Sequence, residues 1–594
     1  MSTPRSLLLS AAAACLLLSP GCTKAKKNST VPVVDDDAGA APSGGGAVIG
    51  VVAPPPAKEM GPRVHLRASA RELNDVFLLI RQATAAWMPD GPIDVPAQAQ
   101  AMLLQLGYGP GMWSNIEWSG VMAVDARVPL EGPAGDLGLF GTIAARSARA
   151  ILDGVPEGQR PQPLGSGLWE LVQEDQRVLF REQAAALEFA LSAGDLDRAA
   201  ELVAEGRTGW RLQGVGDELP PGLINPADLV DLPPQSPLMR QLQAVSQGLT
   251  QLRVDVDLGS QRDLMLRAAA LAPFEKLGLE PLGAPSLRPG ALEAALPAGA
   301  AGVVVMPWGS PAALHAILDK NVPIEQVPAP FDAMARTVVG GVHTLLDQVQ
   351  GEVALAVYVT PGDKLTLLVA ASVRDPAAAK EALRGLQGAG IQALEAFGAL
   401  AGGKDAAFKI TLKADGASFS GGKLDLLTLA LPKNMASAAD EVAYLMSPKK
   451  ELEMVSGAAS GVALLAIGGG ARDLLGRAGK ATLAGEGGLA LARAAAEGCH
   501  FCVSLDPILM VRAATLVNRE AEGPAAKEQA KLLSELARVP SLGGIGVGIQ
   551  LSAGRGSLAF GVPRSLMMPA PAAAAQVRGL VDRLTDPIFE GRPE

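Results

Sequence analysis

Along residues 251–258 apolar and polar side chains alternate without a break: Leu252, Val254, Val256 and Leu258 against Gln251, Arg253, Asp255 and Asp257. A period of two predicts a strand with one face toward a core and the other, carrying the charges, toward water. Two later runs differ. "EVALAVYV" (352–359) and "KLTLLVAASV" (364–373) are apolar at successive positions, which predicts central strands covered on both faces. Other strands run straight into helices. In "RVHLRASARELNDVFLLI" (63–80) Ser69 and Glu72 have capping-box spacing, and Leu73, Val76, Phe77 and Ile80 then form one helical stripe. Asn225-Pro226, Ser310-Pro311, Asp375-Pro376 and Asp506-Pro507 each set an N-cap residue before a proline, whose missing N–H costs nothing at the first helical position. "GASFSGG" (416–422) lies between two strands and reads as a hairpin turn.

The same order of elements occurs twice. Residues 118–155 and 351–386 each read as strand, turn, strand and capped helix. Residues 187–205 and 426–445 read as a strand and a short helix, and 249–271 and 544–562 as strand–turn–strand. The second half is longer around 455–500. Hairpins followed by helices predict an α+β fold, with two similar halves of mainly antiparallel sheet and helices packed on one face. The body divides into a first repeat at 63–285 and a second at 286–594, with a cleft expected at their junction near 270–300.

The chain has 594 residues, more than one ordinary core holds, and its beginning stands apart. After Arg5 comes "SLLLSAAAACLLL", an apolar run of 13 residues. That is short of the roughly 20 needed to span a bilayer and matches the apolar region of a secretory signal. The run ends in "SPGC" at Cys22, which resembles a bacterial lipoprotein lipobox; Leu18 sits one place further from the cysteine than is usual there. By that resemblance residues 1–21 are a signal peptide and Cys22 becomes the acylated first residue. The protein would then be anchored in the cell envelope, at the outer membrane facing the periplasm or at the cell surface. Residues 22–62, rich in Gly, Ala and Pro, read as a disordered tether. The body resembles secreted or lipid-anchored bacterial proteins built from duplicated strand–helix and hairpin–helix units, a pattern that carries over no catalytic residues. A net charge of −10 argues against nucleic acid as a partner.

Candidate chemistry is sparse. Four histidines and four cysteines occur in the whole chain. "GALAGGKD" (398–405) has phosphate-loop spacing, but Asp405 stands where Ser or Thr would meet Mg²⁺, so it reads as chance. His315 with Asp319, and His343 with Asp347, have i,i+4 spacing and read as helix-surface pairs. Asp255, Asp257 and Asp263 lack Ca²⁺-loop spacing and read as a solvated strand face. Trp113, Trp118 and Trp308 read as core. "EGCHFCVSLDP" (497–507) holds the one tight cysteine pair, Cys499 and Cys502. No second pair completes a zinc site, and Val503 stands where haem attachment needs histidine. In extended chain the two Cα atoms would lie about 10 Å apart. A disulfide needs less than about 7 Å, and so a turn. A small structural disulfide and free buried thiols stay open, with a redox or metal role behind them. No metal or cofactor is expected. The expected function is a non-enzymatic, lipid-anchored envelope scaffold or binding module, with a membrane contact through its lipid and an envelope protein partner or apolar ligand. The alternative is a carrier of a lipid or other apolar ligand, and third a thiol- or carboxylate-dependent enzyme.

Overall fold

The computed structural model describes residues 63–584 apart from short internal stretches, the longest being 320–330 and 433–442. Cys22, the signal-like segment and the tether lie outside the described residues.

The first ten strands are β1 (Arg63–Ala70), β2 (Met122–Pro129), β3 (Gly138–Ala144), β4 (Gln162–Gly165), β5 (Leu168–Gln173), β6 (Gln176–Gln183), β7 (Ala186–Ala190), β8 (Leu212–Asp217), β9 (Gln251–Leu258) and β10 (Leu264–Leu271). The second ten are β11 (Gly302–Pro307), β12 (Val349–Thr360), β13 (Lys364–Val373), β14 (Lys409–Phe419), β15 (Gly422–Ala430), β16 (Glu451–Ala459), β17 (Val462–Ile467), β18 (Phe501–Leu505), β19 (Ile545–Ser552) and β20 (Arg555–Val562). The pairings join all 20 into one antiparallel sheet. Its order in the first half is 4-5-6-7-3-2-1-8-9-10. From the other end the second half reads 14-15-16-17-13-12-11-18-19-20, the same order with ten added to each number. The halves join where β10 pairs antiparallel with β20, Leu264 opposite Val562 and Leu271 opposite Arg555. They meet through hydrogen bonds between strands of one sheet. The local turns repeat too. Ser166-Gly167 after β4 and Ser420-Gly421 after β14 are both left-handed pairs, the geometry a two-residue hairpin needs.

One finer sequence comparison is out of register. Residues 187–205 begin in β7, whose counterpart is β17, whereas 426–430 lie in β15. Apolar alternation looks alike in every strand, so strand–helix appearance alone could not select the partner. The capping box at Ser69 is also displaced. Ser69 stays in β1, paired with Ala123 and Gln213, and the helix is entered through Glu72 at φ 52°.

Helices set around this sheet include α1 (Leu73–Trp87), α2 (Ala193–Glu205), α3 (Pro237–Gln247), α4 (Ala291–Ala295), α5 (Phe331–Gln348), α6 (Pro376–Leu400), α7 (Gly487–Ala496), α8 (Pro507–Val517) and α9 (Pro524–Leu536). The proline-started helices follow from local chemistry. Asp506 Oδ1 accepts from the N–H groups of Ile508 and Leu509, both at 3.0 Å, and Ser236 Oγ accepts from Met239 N–H at 3.2 Å. α7 is buried almost throughout. It lies directly on β19 and β20 because those strands present glycine to it, and it meets Ser504 of β18 through its own Gly488. A Cβ at Gly548 would sit 2.5 Å from Ala492 O and 2.6 Å from Ala496 Cβ, and one at Gly561 2.7 Å from Leu491 Cβ. α7 and α4 close the main core over this face, with Leu292, Leu296, Val303, Val305, Ala354, Tyr358, Leu368, Leu464, Ala492 and Ala559. α2 covers the same face of the first half, where Leu196, Ala199 and Leu202 meet Ala123, Phe140 and Ala190. On the opposite face Met112, Ile151 and Leu152 pack over Trp169, Phe180 and Leu187 in the first half.

Candidate functional site

The face opposite α7 is the feature that needs explanation. Alternation sends every second side chain there, and the pairing register sets them in rows across the sheet. One row runs Leu212, Val256, Leu266, Phe560, Val547, Val503, Val304, Leu355, Val369, Leu465, one residue from each of ten neighbouring strands. None of the ten is buried, and Leu355 and Val369 are each 44% exposed. Leu367, Val254 and Leu558 beside the row are also open. An antiparallel sheet that faces water is normally polar on that side, so an apolar row of this extent, half-buried at eight positions and exposed at Leu355 and Val369, is the candidate surface.

Helices wall the row without covering it. At one end of β12 and β13, Val353 and Ala371 pack against Leu345 of α5 and Ala379 and Leu383 of α6. At the other end, Val359 and Leu365 pack against Ala513 and Leu516 of α8 and Leu533 of α9. In the first half Val245 of α3 and Phe274 pack on Leu252 and Ala270. The row ends at Ser456 and Asp425, where Arg384 Nε donates to Asp425 at 2.7 Å. That guanidinium, with the Asp415 N–H, holds the Asp425 carboxyl below the usual range. The double apolarity of β12 and β13 therefore has a different meaning from the expected one. The strands are central, yet the row face is covered only at their ends, at Val349 and Val373 and at Leu365.

The polar face of β9 is likewise reversed. Asp255 is 1% exposed, while the apolar Val254 faces the open side. Asp255 pairs with Arg253 at 2.8 Å, and neighbouring Arg267 donates to Ala495 O of α7 at 2.8 Å and pairs with Glu497 at 2.7 Å. Asp257 pairs with Arg211, and Asp263 accepts from Arg564 N–H. The three aspartates are thus held singly and do not gather.

Cys499 and Cys502 are disulfide-bonded, with Cα atoms 5.5 Å apart. The turn that brings them together begins at the end of α7, where Glu497 (φ 55°) and Gly498 (φ 103°) are both left-handed and Gly498 N–H donates to Arg493 O. Between the cysteines, His500 Nδ1 accepts from Leu551 N–H at 3.0 Å, and both sulfurs are sealed in the main core. The helix histidines pair across elements and not within them. His315 meets Asp347 at 3.3 Å, His343 meets Asp319 at 3.1 Å, and the two rings stack at 4.3 Å. Trp113 and Trp118 meet at 4.3 Å with their rings tilted by 39°, against the core around Ile151 and Phe180, and Trp308 packs beside Val353. Residues 401–405 of the phosphate-loop look-alike lie outside the described residues.

Two clusters escaped the sequence. On the α7 side of β1, His65 Nε2 lies 2.6 Å from Asp125, with Asp217 beyond it held by Arg67 and Gln251. Under α7, Arg493 pairs with Glu293 of α4, and Glu352 of β12 lies within electrostatic reach of both. Burial pushes the Glu293 carboxyl up against the opposing pull of Arg493. Burial likewise raises Glu352, and the Glu293 charge adds to it. The only hint in the sequence was a lone charge within each apolar run, "ALEAALP" and "LALARAAA".

No group of three or more histidine, cysteine or carboxylate side chains among the described residues is arranged to hold a metal ion, and none of their helices is long and apolar enough to cross a membrane. No protein-family model, curated protein or solved structure matches the chain.

Proposed function

We propose that this chain is a lipid-anchored cell-envelope protein with a binding rather than a catalytic role, and that its binding surface is the apolar row walled by α3, α5, α6, α8 and α9. The anchor rests on "SPGC" at Cys22, which places an acylatable cysteine directly after an export signal. The binding role rests on one observation: ten adjoining strands present apolar side chains at the same level of one face, and none of these side chains is buried. Large apolar side chains left open over such an extent invite an occupant, because covering them is favourable at about 25 cal/mol for each Å² withdrawn from water.

The test is positional. Benzoylphenylalanine in place of Leu355 should form a covalent adduct on irradiation of intact envelopes. The same probe in place of Leu104, which is equally open at 46% exposed but on a separate helix, should form little. A folded Leu355 probe protein that yields no more adduct than the Leu104 protein would end the reading.

A further inference from the structure

The shape and chemistry of the row narrow what can lie on it. Resting on the binding role just proposed, we infer that its occupant is the hydrocarbon chain of a membrane lipid, laid across the strands.

Width is the first argument. On β12 the two walls touch the floor at Val353 and Val359, six residues apart, which is about 20 Å of strand. Each wall helix has a radius near 5 Å with its side chains, so about 10 Å remains clear between them. A helix, itself about 10–12 Å across, has no clearance there. Chemistry is the second argument. Leu355, Val357, Leu367 and Val369 offer no hydrogen-bonding side chain between the walls, and their backbone N–H and C=O groups are taken up in the ladders that join β11, β12, β13 and β17. An extended peptide pressed onto that floor would lose water from its own amides without gaining partners, at a cost of several kcal/mol for each group. A hydrocarbon chain has no such groups to satisfy. Length is the third. From Leu212 to Leu465 the row crosses nine inter-strand steps, about 43 Å at ~4.8 Å each. One leaflet of a bilayer supplies hydrocarbon about 15 Å long, half of the ~30 Å core, so the row accommodates a whole acyl chain and more than one in line. The source of lipid is also at hand. A chain tethered through Cys22 by residues 22–62 is held where membrane lipid is always within reach.

The test is photo-labelling of the full chain in intact cells with a diazirine-bearing palmitate, followed by peptide mapping. Label is expected on peptides containing Val304, Leu355, Leu367, Val369 and Val503. The double substitution Leu355→Gln with Val369→Gln should cut it at least tenfold, and Leu104→Gln should leave it unchanged. With purified, delipidated protein, affinity for saturated fatty acids should rise about fourfold per added methylene. Label confined to the N-terminal peptide, or unaffected by the double substitution, would overturn the inference. If in addition the benzoylphenylalanine probe at position 355 captures a protein, the surface binds but its occupant is not lipid. If that probe captures nothing, the binding role itself falls with it.

Discussion

Gly548→Ala adds a single methyl group where the structure has no room for it. The new Cβ would lie 2.5 Å from Ala492 O and 2.6 Å from Ala496 Cβ, against the 3.4–4 Å of an ordinary contact. The obstacle is helix backbone, which cannot rotate aside, so α7 must lift from the sheet by about 1 Å. Forced overpacking of this kind costs about 3 kcal/mol. Lost freedom of the unfolded chain returns about 0.4–1 kcal/mol of that, leaving a net destabilisation near 2 kcal/mol. Gly214→Ala is the internal control, because a Cβ there meets nothing within 4 Å and the same entropy effect should leave the protein unchanged or slightly more stable. Urea unfolding followed by circular dichroism gives both values. Because Arg267 of β10 is tied to Ala495 of α7, the loss should appear in the whole transition and not in the second half alone. If Gly548→Ala unfolds within about 0.5 kcal/mol of Gly214→Ala, the close seating of α7 is wrong.

The buried charges make two further predictions. Glu352 has its carboxyl raised by burial and by Glu293, so its folded value lies above its unfolded one and its ionised form opposes folding. That penalty is complete above the folded value and fades as pH falls toward the ordinary carboxylate range near 4.3. Glu352→Gln should therefore raise stability near neutral pH and flatten the pH dependence, measured as urea midpoints from pH 5 to 8; an unchanged slope would exclude Glu352 as its source. Arg493→Met removes the cation from a pair in which Glu293 is wholly buried, and should cost about 3–5 kcal/mol. Adding Glu293→Leu should recover most of it in the same unfolding assay, and a double variant no better than the single would show that packing, not charge, sets the loss.

What the sequence disclosed was local. The hairpin at Ser420-Gly421 and the start of α8 at Asp506-Pro507 depend on residues a few positions apart, and each forms as its pattern implies. What stayed hidden depends on distant elements. The acidic side of β9 could be read as solvated because Arg267 becomes its neighbour only when β10 pairs with it, and α7 covers both only once the second half has folded. The uncovered row was invisible for a related reason: alternation shows that both faces of β12 and β13 are apolar, but which face receives a helix is decided by where α5, α6, α8 and α9 come to rest. The Glu293–Arg493 pair joins residues on separate helices, and a lone charge in an apolar run does not name its partner.

The seam between β10 and β20 has a consequence for biogenesis. β10 is complete early in the chain, and the strand that covers its outer edge is the last of the described strands. Until residues 555–562 arrive, "LMLRAAAL" is an open edge strand, the kind that pairs with whatever strand it meets first. A chain made from its N-terminus onward spends the whole interval in that state. At high local concentration the nearest strand of matching sequence belongs to another copy, whose β19–β20 hairpin could close the wrong sheet and link two chains by exchange. Truncation before β19 would make the exposure permanent, so the C-terminal hairpin acts as the fold's own stopper against aggregation.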